Sequence, residues 1–277
     1  MKDRKEKIRQ AVVSGQFYPD NPQMLTEQIK TFLAKANTRP DFDVKALIVP
    51  HAGYDYSGQV AAEAYKKVQG RRFGSVILVA FLHRVFLPGV LVDDADVYET
   101  PLGRVPVDLE LVEELRNFHP LLNQTVKGSL QEHSLEVQLP FLQKTIPDLK
   151  IVPIYIGVQD MANVTALAEA LAQAIKNKNV LVVVTTDLSH FHPYAVAVEK
   201  DRKTIEMFEK GNAEAINGAA TREEAEACGI GPVLTALLLA KKMDWKGPEL
   251  VCYANSGDVT GERGSVVGYA SMVFTGK

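Results

Sequence analysis

Apolar positions along this chain fall into two alternating rhythms. Short unbroken runs rich in branched aliphatic residues recur at 44–49, 75–80, 150–156 and 180–186, and runs of that length bounded by turn residues predict strands covered on both faces. Val180-Leu-Val-Val-Val-Thr-Thr186 is the most apolar and predicts a central strand. Segments with helical spacing stand between the runs. Leu25, Ile29, Phe32 and Leu33 follow an i, i+4, i+7, i+8 pattern that predicts a surface helix over 22–36. Ser57 is expected to cap a helix over 59–68, Asp108 one that runs through Phe118, and Asp160 an Ala- and Leu-rich one to about Asn177. The stretch 134–144 is helical in pattern, with Pro140 either kinking it or sitting near its start. Further helices are expected at 194–209, 223–227 and 233–243, the last two parted by Gly229 and Pro232. Residues 90–98 with a turn at 100–103 predict a smaller strand or hairpin, and 250–254 and 265–274 predict strands that complete the sheet across a Gly- and Asp-rich loop.

Strands alternating with helices of this length predict one α/β domain spanning 1–277, with a mostly parallel or mixed central sheet flanked by helices. Residues 1–10 read as a solvated extension. Phe17 and Tyr18 read as aromatic anchors that pin the N-terminal arm to the core, with a plug for a cleft as the alternative. Neither a P-loop nor a full dinucleotide fingerprint occurs.

Composition removes several classes of partner. Hydrophobic residues at 46%, charged residues at 23% and a net charge of -3 give no electrostatic case for nucleic acid or an anionic membrane. The longest apolar runs fall far short of the roughly 20 residues that span a bilayer, and no apolar stretch follows the charged N-terminus as a secretory signal requires. A soluble, cytoplasmic protein is expected. Two cysteines, Cys228 and Cys252, form no disulfide framework and lack the CxxC spacing of a structural zinc site.

The chemistry gathers at predicted strand ends. His51, His83 and the pair Asp187 and His190 each follow a buried run, His133 opens a helix, and Cys228 precedes a Gly-Pro break. In open α/β sheets ligands bind beyond the carboxyl ends of the strands. Taken singly, each histidine is commonly a satisfied structural residue, and His119 and His192, each before a proline, read as surface turn residues. If the others converge, His51, His83 and Cys228 supply two imidazole nitrogens and a thiolate, a set for zinc, copper or iron rather than magnesium or calcium. An open fourth position would make such a site catalytic.

The combination of Pro50-His-Ala-Gly-Tyr54, Glu132-His-Ser-Leu-Glu-Val-Gln-Leu-Pro140, Thr186-Asp-Leu-Ser-His190 and Ala227-Cys-Gly229, with Phe17-Tyr-Pro19 ahead of them, resembles the Memo family over nearly the whole chain. The resemblance implies a fold similar to the LigB-type subunits of class III extradiol dioxygenases, which use non-haem iron. It also implies kinship with the B component of the AmmeMemoRadiSam grouping, whose radical-SAM system proteins become candidate partners. By the same resemblance, His51, His83 and Cys228 hold a metal, His190 and Asp187 are adjacent catalytic pocket residues, and His133 lines the same cleft. Two stretches depart from the family pattern. Gly-Pro-x-His-His is replaced by Ala80-Phe-Leu-His-Arg84, and Cys-Gly-x-His-Pro by Cys228-Gly-Ile-Gly-Pro232. Arg84 would either oppose a cation or recruit an anionic group of a substrate.

Three functions therefore stand open at the level of sequence. One is a dioxygenase-like or other redox enzyme on a small molecule, with iron or copper, His190 as acid/base and Asp187 holding its tautomer. Another is a catalytically idle cleft that binds a peptide or partner, and a site holding no cofactor at all stays open as well. The third is a zinc-dependent hydrolase using the same ligands.

Overall fold

Strands made of Val, Ile and Leu have no polar face to keep in water, so they pair with one another under a cover of helices. The structure, a computed structural model, describes residues 6–41, 43–126 and 131–276. A short strand β1 (Ile8–Arg9) and helix α1 (Pro22–Lys35) precede β2 (Val44–Val49), α2 (Tyr54–Lys67) and β3 (Ser75–Phe81). Next come β4 (Val90–Val92), β5 (Val97–Thr100), β6 (Gly103–Pro106), α3 (Leu109–Phe118), α4 (Leu139–Thr145), β7 (Ile151–Ile156), α5 (Met161–Ala174) and β8 (Val180–Thr185). The chain continues through β9 (His190–His192), α6 (Tyr194–Lys210), α7 (Ala213–Thr221), α8 (Ile230–Met243), β10 (Lys246–Asn255), α9 (Ser256–Thr260) and β11 (Val266–Thr275).

The four apolar runs form the middle of the main sheet, where β2, β8, β3 and β7 lie parallel in that order. The margins are antiparallel: β4 joins β7, β11 joins β2, and β10 and β9 join β11. The sheet is thus mixed, in the order β10-β11-β2-β8-β3-β7-β4. A second sheet of β1, β5 and β6 lies apart from it. Helices α1, α2 and α4 pack together, as do α3, α5, α7 and α8. Local sequence accounts for the helix starts. Asn21 accepts the amides of Gln23 and Met24 to open α1, whose Leu25, Ile29 and Leu33 are buried as the spacing predicts, and Asp160 caps α5 through the Asn163 amide. No helix among the described residues is long and apolar enough to cross a membrane.

Several expectations need correction. Helix α2 starts at Tyr54, so Ser57 lies inside the first turn, where its hydroxyl donates to the Ala52 carbonyl while Gly53 occupies the cap. The first helical amide, Tyr54 N–H, goes instead to the Phe17 carbonyl of the N-terminal arm. The helix expected at 223–227 is absent. The helical turn lies earlier, as α7, capped by Asn212, and Glu223 with a left-handed φ of 58° ends that run. Helix α8 begins at Ile230, with Pro232 in the first turn, where its missing N–H costs nothing. Pro140 likewise sits at the start of α4 after a 3-10 turn at Glu136–Gln138. His192 is not a turn residue but a strand residue of β9, its Nε2 2.8 Å from Glu226 Oε2. His119 is exposed and caps a 3-10 turn, as read from sequence.

The N-terminal extension is also more structured than predicted. Residues 1–5 lie outside the described residues, but Ile8 and Arg9 form β1, parallel to β5. The arm that follows is tied down by one buried carboxylate: Glu136 accepts the amides of Val12 (2.8 Å) and Val13 (3.0 Å) and the hydroxyl of Tyr18 (2.7 Å). Tyr18 is therefore an anchor. Glu136→Ala strips all three donors of their acceptor and is expected to lower stability by about 3 kcal/mol, against about 1 kcal/mol for Tyr18→Phe. Urea denaturation reads both, and equal, negligible shifts in the midpoint would contradict this account of the arm.

Candidate metal centre

The parallel strands β2, β8 and β3 deliver His51, Asp187 and His83 to the same edge of the sheet, each within two residues of the strand's carboxyl end. Cys228 lies on the turn that leads into α8. The side chains of His51, His83 and Cys228 meet, with ligand atoms all within 4.8 Å of one another. The tightest approach is His51 Nε2 to Cys228 Sγ, 3.2 Å. Rings of His51 and His83 stand edge to face with centroids 5.1 Å apart, and His133 packs 4.9 Å from His83 and 5.5 Å from His51.

Each member of the group is held from behind. His51 Nδ1 lies 2.9 Å from the Thr185 hydroxyl, which also accepts the Gln138 side-chain amide. Gln138 in turn donates to the Pro50 carbonyl, locking the residue before His51. His83 Nδ1 faces Glu132 Oε1 at 3.1 Å and its amide donates to Glu132 Oε2 at 2.6 Å. Asp187 accepts the His51 amide at 2.8 Å, and its own amide donates to Cys228 Sγ at 3.2 Å.

Sequence similarity can now be placed on this geometry. The model of the Memo-like protein family matches residues 9–273. The chain belongs to the Memo-like family. It is similar to MEMO1 family proteins of Pyrobaculum arsenaticum (34% identical over 278 residues, 97% of this chain and 99% of the relative), Sulfolobus acidocaldarius (35% over 283 residues, 96% and 99%) and Aquifex aeolicus (34% over 269 residues, 97% and 99%). A crystal structure of an uncharacterized protein from Escherichia coli K12 is similar in fold, with a TM-score of 0.52 at 17% identity over 84% of this chain and 100% of that chain.

In this Memo-like chain a cleft of about 350 Å³ opens over the group, lined by His51, His83, His133, Asp187 and His190. Phe17, Tyr56 and Tyr269 form aromatic walls. The two readings of the arm's aromatics thus divide between them: Tyr18 is the anchor, while Phe17 enters the cleft and packs 4.9 Å from the His133 ring. Of the residues singled out from sequence, Cys228 joins the cleft-lining five through its contact with His51, but one expected contact is missing. Asp187 bonds to His51 and Cys228 rather than holding His190, whose amide is bound by Glu226 Oε1. Next to His190, Phe191 is 75% exposed and holds a left-handed φ of 62°. Arg84 is exposed and does not line the cleft. Glu132, Thr185 and Gln138 were not anticipated. Glu132 carried the one usable signal, a carboxylate adjoining a candidate histidine, since ligating imidazoles commonly donate their far nitrogen to a carboxylate.

Burial sets the charge state of the group. It pushes the His51 pKa down to about 4, with the neighbouring imidazoles adding to the effect and Asp187 opposing it. Burial and then the Asp187 charge push the Cys228 thiol up to about 12. Burial would also raise Glu132, but the imidazoles of His133 and His83 and the Ser134 amide outweigh it and keep the carboxylate ionised. His133 Nδ1 is 3.2 Å from Glu132 Oε1 but outside hydrogen-bonding geometry, so it is buried without a hydrogen-bond partner. The His51 shift makes a signed prediction. An unfolded His51 takes its proton near 6.5 whereas the folded one resists until about 4, so unfolding binds a proton in that window and stability falls as pH drops through it. Metal-free His51→Gln should lose that component of the slope in urea titrations between these pH values; an unaltered slope would refute it.

Proposed function

We propose that this chain is a cytoplasmic, metal-dependent redox enzyme acting on a small molecule, with His51, His83 and Cys228 as the metal ligands. The observation that carries the reading is the meeting of two imidazoles and a thiol from three separate loops within 4.8 Å. The donor set fits a metal on further grounds. Bond lengths of about 2.0 and 2.3 Å to nitrogen and sulfur place tetrahedral ligands about 3.5 Å apart, close to the 3.2 Å between His51 Nε2 and Cys228 Sγ. Thr185 and Glu132 engage the Nδ1 atoms of His51 and His83, leaving both Nε2 atoms for an ion. Glu132 thus restores an oriented His83 despite the altered sequence around it.

Thiolate with imidazole suits iron, copper or zinc, and of these iron and copper change oxidation state, as a redox reaction requires. When bound, such an ion would supply electron transfer and Lewis acidity. The chain's own residues do the rest. His190 lines the cleft with its main chain fixed by Glu226 and serves as acid/base for a substrate proton. His133, which lines the same cleft beside the Glu132 carboxylate, is a second proton carrier. Phe17, Tyr56 and Tyr269 accept the apolar face of a substrate, and the cleft volume limits it to a small molecule.

Metal analysis of the purified chain should find bound iron or copper, lost in His51→Ala and Cys228→Ser. Because the Cys228 thiol must ionise while His51 is already neutral, binding at pH 7.5 should release about one proton per ion, read by calorimetry in buffers of different ionisation enthalpy. Absence of both bound metal and metal-dependent thermal stabilisation would overturn the proposal. His190→Ala should retain the ion but lose turnover by about 10²- to 10⁴-fold, followed as oxygen consumption over a panel of phenols and thiols.

A further inference from the structure

The loop between β7 and α5, residues 157–160, supplies no member of the metal group, yet it touches two of the loops that do. On one side it grips the segment that follows His83. Gly157 N–H donates to the Gly89 carbonyl (3.0 Å) and Val158 N–H to the Leu87 carbonyl (2.8 Å), and the Asn163 side chain reaches the Pro88 carbonyl (2.8 Å). The contact is so close that a Cβ at Gly157 would lie 2.0 Å from the Leu87 carbonyl oxygen.

On the other side the same loop holds the turn that carries Cys228, through one side chain. Gln159 Nε2 donates to the Cys228 carbonyl at 2.9 Å, and its Oε1 accepts the Gly231 amide at 2.7 Å. One carboxamide therefore bridges both ends of the turn 228–231. Helix α8 needs this, because its cap, Gly229, has no side chain to satisfy the first-turn amides. Gln159 provides that acceptor from a different element. The fit is close here as well: a Cβ at Gly231 would stand 3.1–3.2 Å from Gln159 Oε1, Cβ and Cγ. The Asp187 backbone completes the hold, taking the Cys228 amide at 3.2 Å and donating to Sγ.

We propose that Gln159 is a positioning residue for Cys228, clamping the turn 228–231 to the loop that also braces the His83 segment, so that thiol and imidazole are set at ligand distance before a metal arrives. The inference rests on the metal reading of the site. Ligands held in place by their supporting partners bind more tightly, and loss of such a partner commonly weakens affinity about 10- to 100-fold.

The test uses the full chain in a Cys252→Ser background, so that Cys228 is the sole thiol, with zinc(II) as a redox-inert probe titrated against a chromogenic chelator. Gln159→Met keeps the length of the side chain and removes both hydrogen bonds. With circular dichroism unchanged, it should weaken zinc binding about 10- to 100-fold and speed iodoacetamide alkylation of metal-free Cys228 several-fold. Gly231→Ala, which forces a methyl group into the space of Gln159, should act the same way, and the double variant should add little to either. A folded Gln159→Met chain with zinc affinity and alkylation rate both at parental values would overturn the proposal. Failure of the parent to bind zinc would instead count against the metal reading, and the alkylation comparison alone would then decide the role of Gln159. Should Gln159→Met fail to fold, Gly231→Ala takes its place in both measurements, and parental values in both would again overturn the proposal.

Discussion

Two buried carboxylates four residues apart, Glu132 and Glu136, tie the His83 loop and the N-terminal arm to the cleft. Both are almost fully buried, at 1% and 2% exposure, and an ion taken out of water survives only where donors replace its hydration. Glu132 collects the amides of His83, His133 and Ser134 together with the His83 ring; Glu136 collects the N-terminal arm. Arg9 adds a further tie from the arm, its guanidinium donating to the Glu132 main-chain carbonyl at 2.9 Å. Charge burial here is expensive, and what it secures is the common position of three segments that share no secondary structure.

That arrangement explains how a site built mostly from loops can be rigid. His51 is backed by Thr185 and Gln138, Gln138 is held by Tyr65 and bonds the Pro50 carbonyl, and the residues next to His83 and Cys228 are tied by Leu82 N–H to the Ile156 carbonyl and Gly229 N–H to the Thr186 hydroxyl. Parallel strands contribute by ending in register: Val49 pairs with Thr185 and Val79 with Val184, so residues just beyond them emerge side by side. Hydrogen bonding in the sheet thereby sets the spacing of the imidazoles, and the polar network sets their rotation.

Much of this was legible in the amino-acid order because it rests on local signals. Uninterrupted Val and Ile runs marked β2, β3, β7 and β8, and a histidine or aspartate just beyond three of them marked the site. The unforeseen parts are those whose role depends on distant partners. Glu132, Gln138 and Thr185 have no periodicity of their own, and each gains its meaning from residues dozens of positions away. Helix α7 was hidden by Asn217 and Gly218, weak helix formers that tertiary packing overrides. Ser57 precedes a helical pattern and so reads as a cap, but the helix starts earlier, at Tyr54, whose amide donates a hydrogen bond to the Phe17 carbonyl that only the folded arm supplies.

Strand β2 lies between β8 and β11, and this placement ties the His51 loop to a remote segment. The partner on one flank of the His51 strand is β11, remote in sequence, with Ile48 opposite Met272, and Val267 and Tyr269 of that same strand wall the cleft. Pairings between such remote segments form late, since loop closure must precede them. Without β11 the fold would keep His51, His83 and Cys228 yet lack the neighbour that pins β2 and one side of the cleft. The position of His51 and one wall of the cleft thus depend on the same pairing of distant segments.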